Sequence, residues 1–228
     1  ETIVREHICG PSGRLVEIEM FAHGALCMAV SGKCYLSLQT YGASANRGAC
    51  YQLCRRGYEV TDLETGTKLN IDNKYIMSPK DLCTIEFMDK IIDAGVKVFK
   101  IEGRARSAEY VKKTAECYRR AADAVCEGRY TPELAASLKE ELSEVFNRGF
   151  WDGYYQGARL GEWSDVYGSH ATRKKIYCGK ITNWFDRISV AEVLVESETL
   201  RKGDDILIIG ETTGVIEQNV SEIRVDLK

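Results

Sequence analysis

Residues 74–127 read KYIMSPKDLCTIEFMDKIIDAGVKVFKIEGRARSAEYVKKTAECYRRAADAVCE, and this run decides the fold class. KYIM is a short strand. It leads into Ser78-Pro79, a pair suited to opening a helix: serine accepts from a free backbone N–H, and proline at the first helical position has none to lose. The spacing predicts a helix from there to about Ala94, stopped by Gly95. VKVFKIEG (96–103) reads as a buried strand. Ser107 then caps a second helix whose apolar stripe is Tyr110, Val111, Ala115, Tyr118, Ala122 and Val125. Strand, helix, strand, helix with short connections is the pattern of an α/β domain with a parallel sheet. In such domains chemistry gathers beyond the C-terminal strand ends. His23, Cys27, Ser78 and the pair Glu102 and Arg104 all follow predicted strands, which assigns them to one face.

Upstream, RLVEIEMF (14–21) alternates apolar and acidic residues and reads as a strand ended by His23-Gly24. Residues 24–57 are rich in Gly, Ser, Ala, Asn and Cys and hold no period. So long an irregular stretch inside a compact domain needs something to order it. A hairpin follows: YEVTDL (58–63), a turn at Glu64-Thr65-Gly66, and TKLNI (67–71).

Downstream, Thr131-Pro132 starts a helix over 131–148 with Gly149 past its end; its acidic start and late Arg148 suit the helix dipole. GFWDGYYQG (149–157) reads as a turn that closes the core. From residue 173 the style changes. Residues 175–185, 188–197, 204–210 and 215–225 read as four strands. We therefore expect a partial α/β domain over 1–160, a linker over 161–172, and a small all-β domain over 173–228.

The chain has 228 residues, 44% hydrophobic and 29% charged, with net charge −3. That is ordinary globular composition, and there is no global basic field to draw in nucleic acid. No apolar run is long enough to span a bilayer and no charged-apolar-small leader opens the chain, so a soluble, cytoplasmic protein without membrane contact is expected. The sequence opens without Met, inside charged residues, and reads as part of a longer protein.

Nine cysteines are the compositional anomaly. An odd count with no secretion signal argues against a disulfide framework. Cys9, Cys117, Cys126 and Cys178 are scattered through regular elements and read as small buried hydrophobes. Cys27, Cys34, Cys50 and Cys54 are instead packed into the irregular stretch as C-x6-C-x15-C-x3-C, with Cys83 beyond them. Structural zinc prefers two tight C-x2-4-C knuckles, and only Cys50 and Cys54 approach that. Iron–sulfur clusters accept irregular spacing and distant ligands. A dithiol redox pair would want C-x-x-C, which is absent. Spacing therefore leaves an iron–sulfur cluster ahead of zinc and of unligated thiols. Cys27, Cys34 and Cys50 are the firmest ligands, and Cys83 or Cys54 is the fourth.

The blocks EMFAHGALC (19–27), GKCYLS (32–37), ANRGACYQLCRR (45–56), MSPKDLC (77–83) and KIEGRARSAEYV (100–111), in this order, resemble the collagenase-like peptidase family thirty-two of unassigned catalytic type. The last domain is similar to the small β-barrel that forms domain two of elongation factor Tu. The resemblance implies the C-terminal part of a TIM-like barrel followed by that barrel. It implies two kinds of activity as well. Some members are described as collagenases. Others take part in hydroxylating a tRNA wobble uridine or an rRNA cytidine, linked to prephenate, or in oxygen-independent ubiquinone hydroxylation with a 4Fe-4S cluster. Carried over by residue, the cluster ligands are Cys27, Cys34, Cys50 and Cys83, with Cys54 a ligand in some relatives.

The peptidase reading requires an activated nucleophile. Cys27 with His23 forms a conceivable dyad, but it leaves four cysteines unexplained, and the HExxH and GxSxG patterns are absent. We therefore expect RNA base hydroxylation, with peptide hydrolysis and a non-catalytic RNA-binding or assembly module as alternatives. His23 would orient substrate or move a proton, with Glu102 and Arg104 as further catalytic candidates. Arg106 would clamp an anionic group. Arg47, Arg55 and Arg56 flank the thiol loop and are candidates for an RNA backbone. A partial barrel exposes strand edges, so a homo- or heterodimer is expected as well.

Overall fold

The computed structural model describes residues 6–29, 33–68 and 77–225. They form mixed α and β structure in two compact units, Glu1–Thr172 and Arg173–Lys228.

The first unit is built on strand β1, Ile18–Ala25. It runs four residues further than the alternating pattern suggests, so His23 and Gly24 lie inside the strand. On one side β1 pairs in parallel with β3, Val96–Ile101; on the other it pairs antiparallel with β2, Asp81–Cys83. A two-residue strand β4, Phe150–Trp151, lies parallel to β2 and completes the order β3-β1-β2-β4. The sheet is thus mixed: β1 and β3 form the parallel pair expected from the sequence, and β2 reverses.

That reversal corrects the reading of Ser78-Pro79 as a helix start. Pro79 bridges to Trp163, Lys80 N–H donates to the Glu162 carbonyl, and Asp81, Leu82 and Cys83 are buried between β1 and β4. The backbone bonds that a helix would make are satisfied across the sheet instead, so tertiary pairing overrides the local signal. A short 3-10 turn, Ile85–Phe87, follows. Only then does a helix begin, Met88–Asp93, stopped at Gly95 in a positive-φ conformation. The KYIM strand and the second hairpin arm fall mainly at 69–76, outside the described residues. The first arm survives as a Thr61–Lys68 bridge around a turn that Asp62 caps.

We label the helices α1 (Leu36–Tyr41), α2 (Met88–Asp93), α3 (Ala108–Cys126) and α4 (Pro132–Ser143). α3 buries Tyr110, Thr114, Cys117, Tyr118, Ala121 and Ala124. This face is rotated from the expected stripe, leaving Val111 44% exposed. α4 opens on Thr131, whose side chain accepts from Leu134 N–H at 3.2 Å, and packs Leu138 and Leu142 into the core. Each buried leucine stabilises the fold by roughly 1.5–3 kcal/mol. The helix ends at Ser143 rather than Arg148, because the next residues turn inward: Asn147 donates to the Ser143 and Val145 carbonyls, and Arg148 is drawn to Asp81.

Residues 161–172, read as a linker, are tied to the first unit. Ser164, His170 and Thr172 donate their N–H groups to the carbonyls of Ser78, Asn147 and Ser143. Of the four scattered cysteines only Cys117 is buried; Cys9 and Cys126 are exposed and Cys178 is half-buried. The second unit consists of two antiparallel hairpins, Gly179–Phe185 with Val190–Val195 and Asp205–Gly210 with Gly214–Asn219, at the four predicted strand positions. Among the described residues no helix is long and apolar enough to cross a membrane.

Candidate functional site

Just past the end of β1 the chain enters the irregular loop, and four of its thiols converge. Cys27, Cys34, Cys50 and Cys54 line one cavity of about 130 Å³, with Ser37, Asn46, Leu53 and Arg104 among its other walls. All nine cysteines are free thiols. Local geometry explains how the loop brings the four together. The six-residue α1 follows Cys34 and turns Ser37 inward, where its hydroxyl accepts from Tyr51 N–H at 3.1 Å. Gln52 adopts a left-handed conformation (φ 52) and starts a 3-10 turn, Leu53–Arg55, that sends Leu53 into the core and Cys54 to the cavity.

Arg55 holds this loop against the sheet. Its guanidinium donates to the Leu26 carbonyl at 2.6 Å, to Ser78 Oγ at 3.2 Å and to the Pro79 carbonyl. The residue next to Cys27 and the residue next to Cys54 are therefore tied to the approach to β2. Arg55 is consequently turned inward, away from the RNA-contact role expected for it. Beneath it, Asp81 is 1% exposed and faces two guanidiniums, Arg106 at 3.3 Å and Arg148 at 3.4 Å. Arg148 also donates to Gln52 Oε1 at 3.3 Å, linking the thiol loop to the same carboxylate. Arg106 stacks over Phe146 at 4.0 Å. It is buried in this network, a different role from the open anion clamp expected for it. Sequence reasoning missed Asp81, Arg148 and Gln52. The one available signal was an Asp opening the apolar run DLC, an odd position unless paired.

His23 stands elsewhere. Its ring is 1% exposed, packed among Tyr118, Phe150 and Tyr110 at 5.4, 5.6 and 6.0 Å between ring centres, with Nδ1 3.3 Å from Tyr118 Oη. Burial, reinforced by the Arg106 charge, lowers its pKa to about 3 and keeps it neutral. Cys27 is exposed beyond the strand end, and no histidine lines the cavity among the described residues. Cys83 pairs in register with His23 and is 3% exposed, with Tyr118 Oη 3.9 Å from its sulfur. Burial raises its thiol pKa to about 11.

Four thiols and no carboxylate line the cavity, a donor set that suits zinc or iron–sulfur centres and disfavours magnesium or calcium. Burial raises the Cys54 pKa, Arg55 opposes this, and charge on Cys50, Cys27 and Cys34 raises it further. Thiolates gathered on one cavity wall would repel one another unless a cationic centre offset their charge. The residues present therefore fit a thiolate-held group, although among the described residues no three His, Cys, Asp or Glu side chains are already disposed to hold a single metal ion.

Arg104 reaches the cavity from the turn after β3, and its N–H donates to Glu102 Oε1 at 2.7 Å. Gly24 lets that turn approach β1: a Cβ there would lie 2.9 Å from Glu102 Cβ and carbonyl oxygen. Arg47 and Arg56 are exposed on the loop.

Comparison with known proteins gives consistent matches. The sequence model for peptidase family U32 matches residues 6–165. A collagenase of Porphyromonas gingivalis is 62% identical over 228 residues, all of this chain and 55% of that protein. The tRNA hydroxylation protein P1 of Bacillus subtilis is 32% identical over 200 residues, 86% of this chain and 47% of that protein. The 23S rRNA 5-hydroxycytidine C2501 synthase of Escherichia coli is 41% identical over 151 residues, 64% of this chain and 23% of that protein. The chain spans about half the length of the collagenase and the tRNA hydroxylation protein. No solved structure matches it.

Proposed function

The chain belongs to peptidase family U32, and from that premise we propose that it forms part of an RNA base-hydroxylating enzyme with a thiolate-held iron–sulfur centre. The observation that carries the proposal is the convergence of Cys27, Cys34, Cys50 and Cys54 on one cavity, where a cysteine peptidase would need one thiol and one nearby base. Relatives named for tRNA and rRNA hydroxylation match 86% and 64% of this chain. A 4Fe-4S cluster bound there would supply one-electron chemistry; zinc is the alternative occupant. Cys54 is our fourth ligand, since Cys83 would have to leave the core and its contact with Tyr118 to reach the cavity. Arg104 would meet an anionic part of the substrate at the cavity mouth, and Glu102 would hold the turn that presents it. The parallel pair β1 and β3 is what a TIM-like barrel would contribute, as the family membership suggests, and the antiparallel β2 departs from that pattern.

Peptide hydrolysis is the second reading, favoured by the name of the 62%-identical relative. Two measurements separate them. Anaerobically prepared intact protein should contain iron and acid-labile sulfide, and RNA from cells lacking it should lose a hydroxylated nucleoside. Protein without iron, an unchanged nucleoside profile, and gelatin cleavage abolished by Cys27→Ala would hand the assignment to the peptidase.

A further inference from the structure

We infer that the outer face of the thiol loop is a binding platform for single-stranded RNA, built from Tyr41, Tyr51 and Arg56, with the exposed Arg47 on the same loop. This deepens the RNA reading above and rests on it.

Tyr41 and Tyr51 are 50% and 57% exposed, yet they pack against each other with ring centres 5.0 Å apart. Arg56 lies over the Tyr41 ring at 5.9 Å and donates to its hydroxyl at 3.0 Å. Isolated exposed aromatics are common on protein surfaces and need no explanation. Here the two rings and a guanidinium form one ordered group, and Tyr35, 71% exposed, lies on the same loop. The group is bolted to the cavity. Tyr51 follows Cys50 and donates its N–H to Ser37, Tyr41 ends the helix that carries Leu36 and Ser37, and Arg47 follows the cavity residue Asn46.

Charge selects the partner. Residues 20–58 contain no Asp or Glu, in a chain that has 34 of them. The same stretch carries Lys33, Arg47, Arg55 and Arg56. Arg55 is tied up internally, which leaves Lys33, Arg47 and Arg56 exposed. Stacking surfaces lined by cations, with acids excluded, match an unpaired polyanion whose bases are free to stack. A proline-rich peptide also docks on tyrosines, but it gains nothing from a cationic, acid-free rim.

The test is fluorescence anisotropy of the intact protein with a short labelled single-stranded RNA of mixed sequence, beside a labelled Pro-Pro-Gly repeat peptide. Wild type should bind the RNA. Tyr51→Ala should weaken it roughly 5- to 150-fold, the range expected for one lost stacking base, and Tyr51→Phe, which keeps the ring, should recover most of that loss. Arg56→Gln should lower the salt-dependence slope by about 0.7. Thermal unfolding of each variant confirms that these exposed positions leave the fold intact. RNA binding by wild type that Tyr51→Ala and Arg56→Gln leave unchanged overturns the platform and spares the RNA reading. No RNA binding by wild type overturns both. Peptide binding lost in Tyr51→Ala, without RNA binding, assigns the surface to a proline-rich partner.

Discussion

The thiol loop and the sheet beside it carry the same reactive residue types under opposite conditions. Around β1 and β2, His23 and Cys83 are sealed among Tyr118, Tyr110 and Phe150, and burial holds both in their neutral forms. A few residues along the chain, Cys27, Cys34, Cys50 and Cys54 share a cavity wall that opens to solvent beside Arg104. Between the two regions lies a layer of guanidiniums, Arg55, Arg106 and Arg148, gathered around the single carboxylate of Asp81. The difference teaches that nearness in sequence is a poor guide to shared chemistry: four positions separate His23 from Cys27, yet one faces the core and the other faces outward.

The contrast can be broken most forcefully with acid. His23 has a pKa of about 3 in the fold against 6.5 ordinarily. Between those values the unfolded chain takes up a proton that the folded chain refuses. Stability from this group is therefore complete above about pH 6.5 and falls as pH drops toward 3, by about 5 kcal/mol in all. Urea midpoints measured across that range should show a slope about one proton shallower in His23→Phe; an identical slope would place the imidazole in water.

A second break targets the layer between the regions. Asp81→Ala leaves Arg106 and Arg148 buried without their carboxylate, and should cost about 3–5 kcal/mol in urea unfolding. A cost under about 1 kcal/mol would mean that these side chains reach solvent.

The finest probe compares thiols directly. Cys83→Ala should cost about 1–2 kcal/mol by shrinking the core while leaving the iron content of anaerobic protein intact. Cys54→Ala should remove the iron with little effect on the metal-free fold. The reverse result would move the fourth ligand to Cys83 and require residues 81–83 to rearrange around the centre.

Much of this was legible without coordinates. The strands β1 and β3, the long α3, the Thr131-Pro132 helix start and the four C-terminal strands all follow from periodicity and capping chemistry, because each signal is local. The grouping of Cys27, Cys34 and Cys50 was legible too, since so many thiols in an irregular stretch imply a common purpose. The β2 strand was hidden: Ser78-Pro79 is a sound helix signal that only sheet pairing with β1 and the contacts of 161–172 can overrule. The rotation of α3 was hidden as well: Val111 turns outward and Thr114 inward according to what the sheet presents.

The amino-acid sequence by itself determined the element types, the density of thiols and the acid-free character of the loop, all of which are set by residue order and composition. Only the tertiary structure decided that Cys54 rather than Cys83 joins the other three thiols, that His23 is locked in the core, and that Arg55 and Arg106 face inward while Arg47 and Arg56 face out. Those outcomes depend on burial and on partners such as Asp81 and Leu26 that arrive from other segments, and no local pattern encodes which partner will be there.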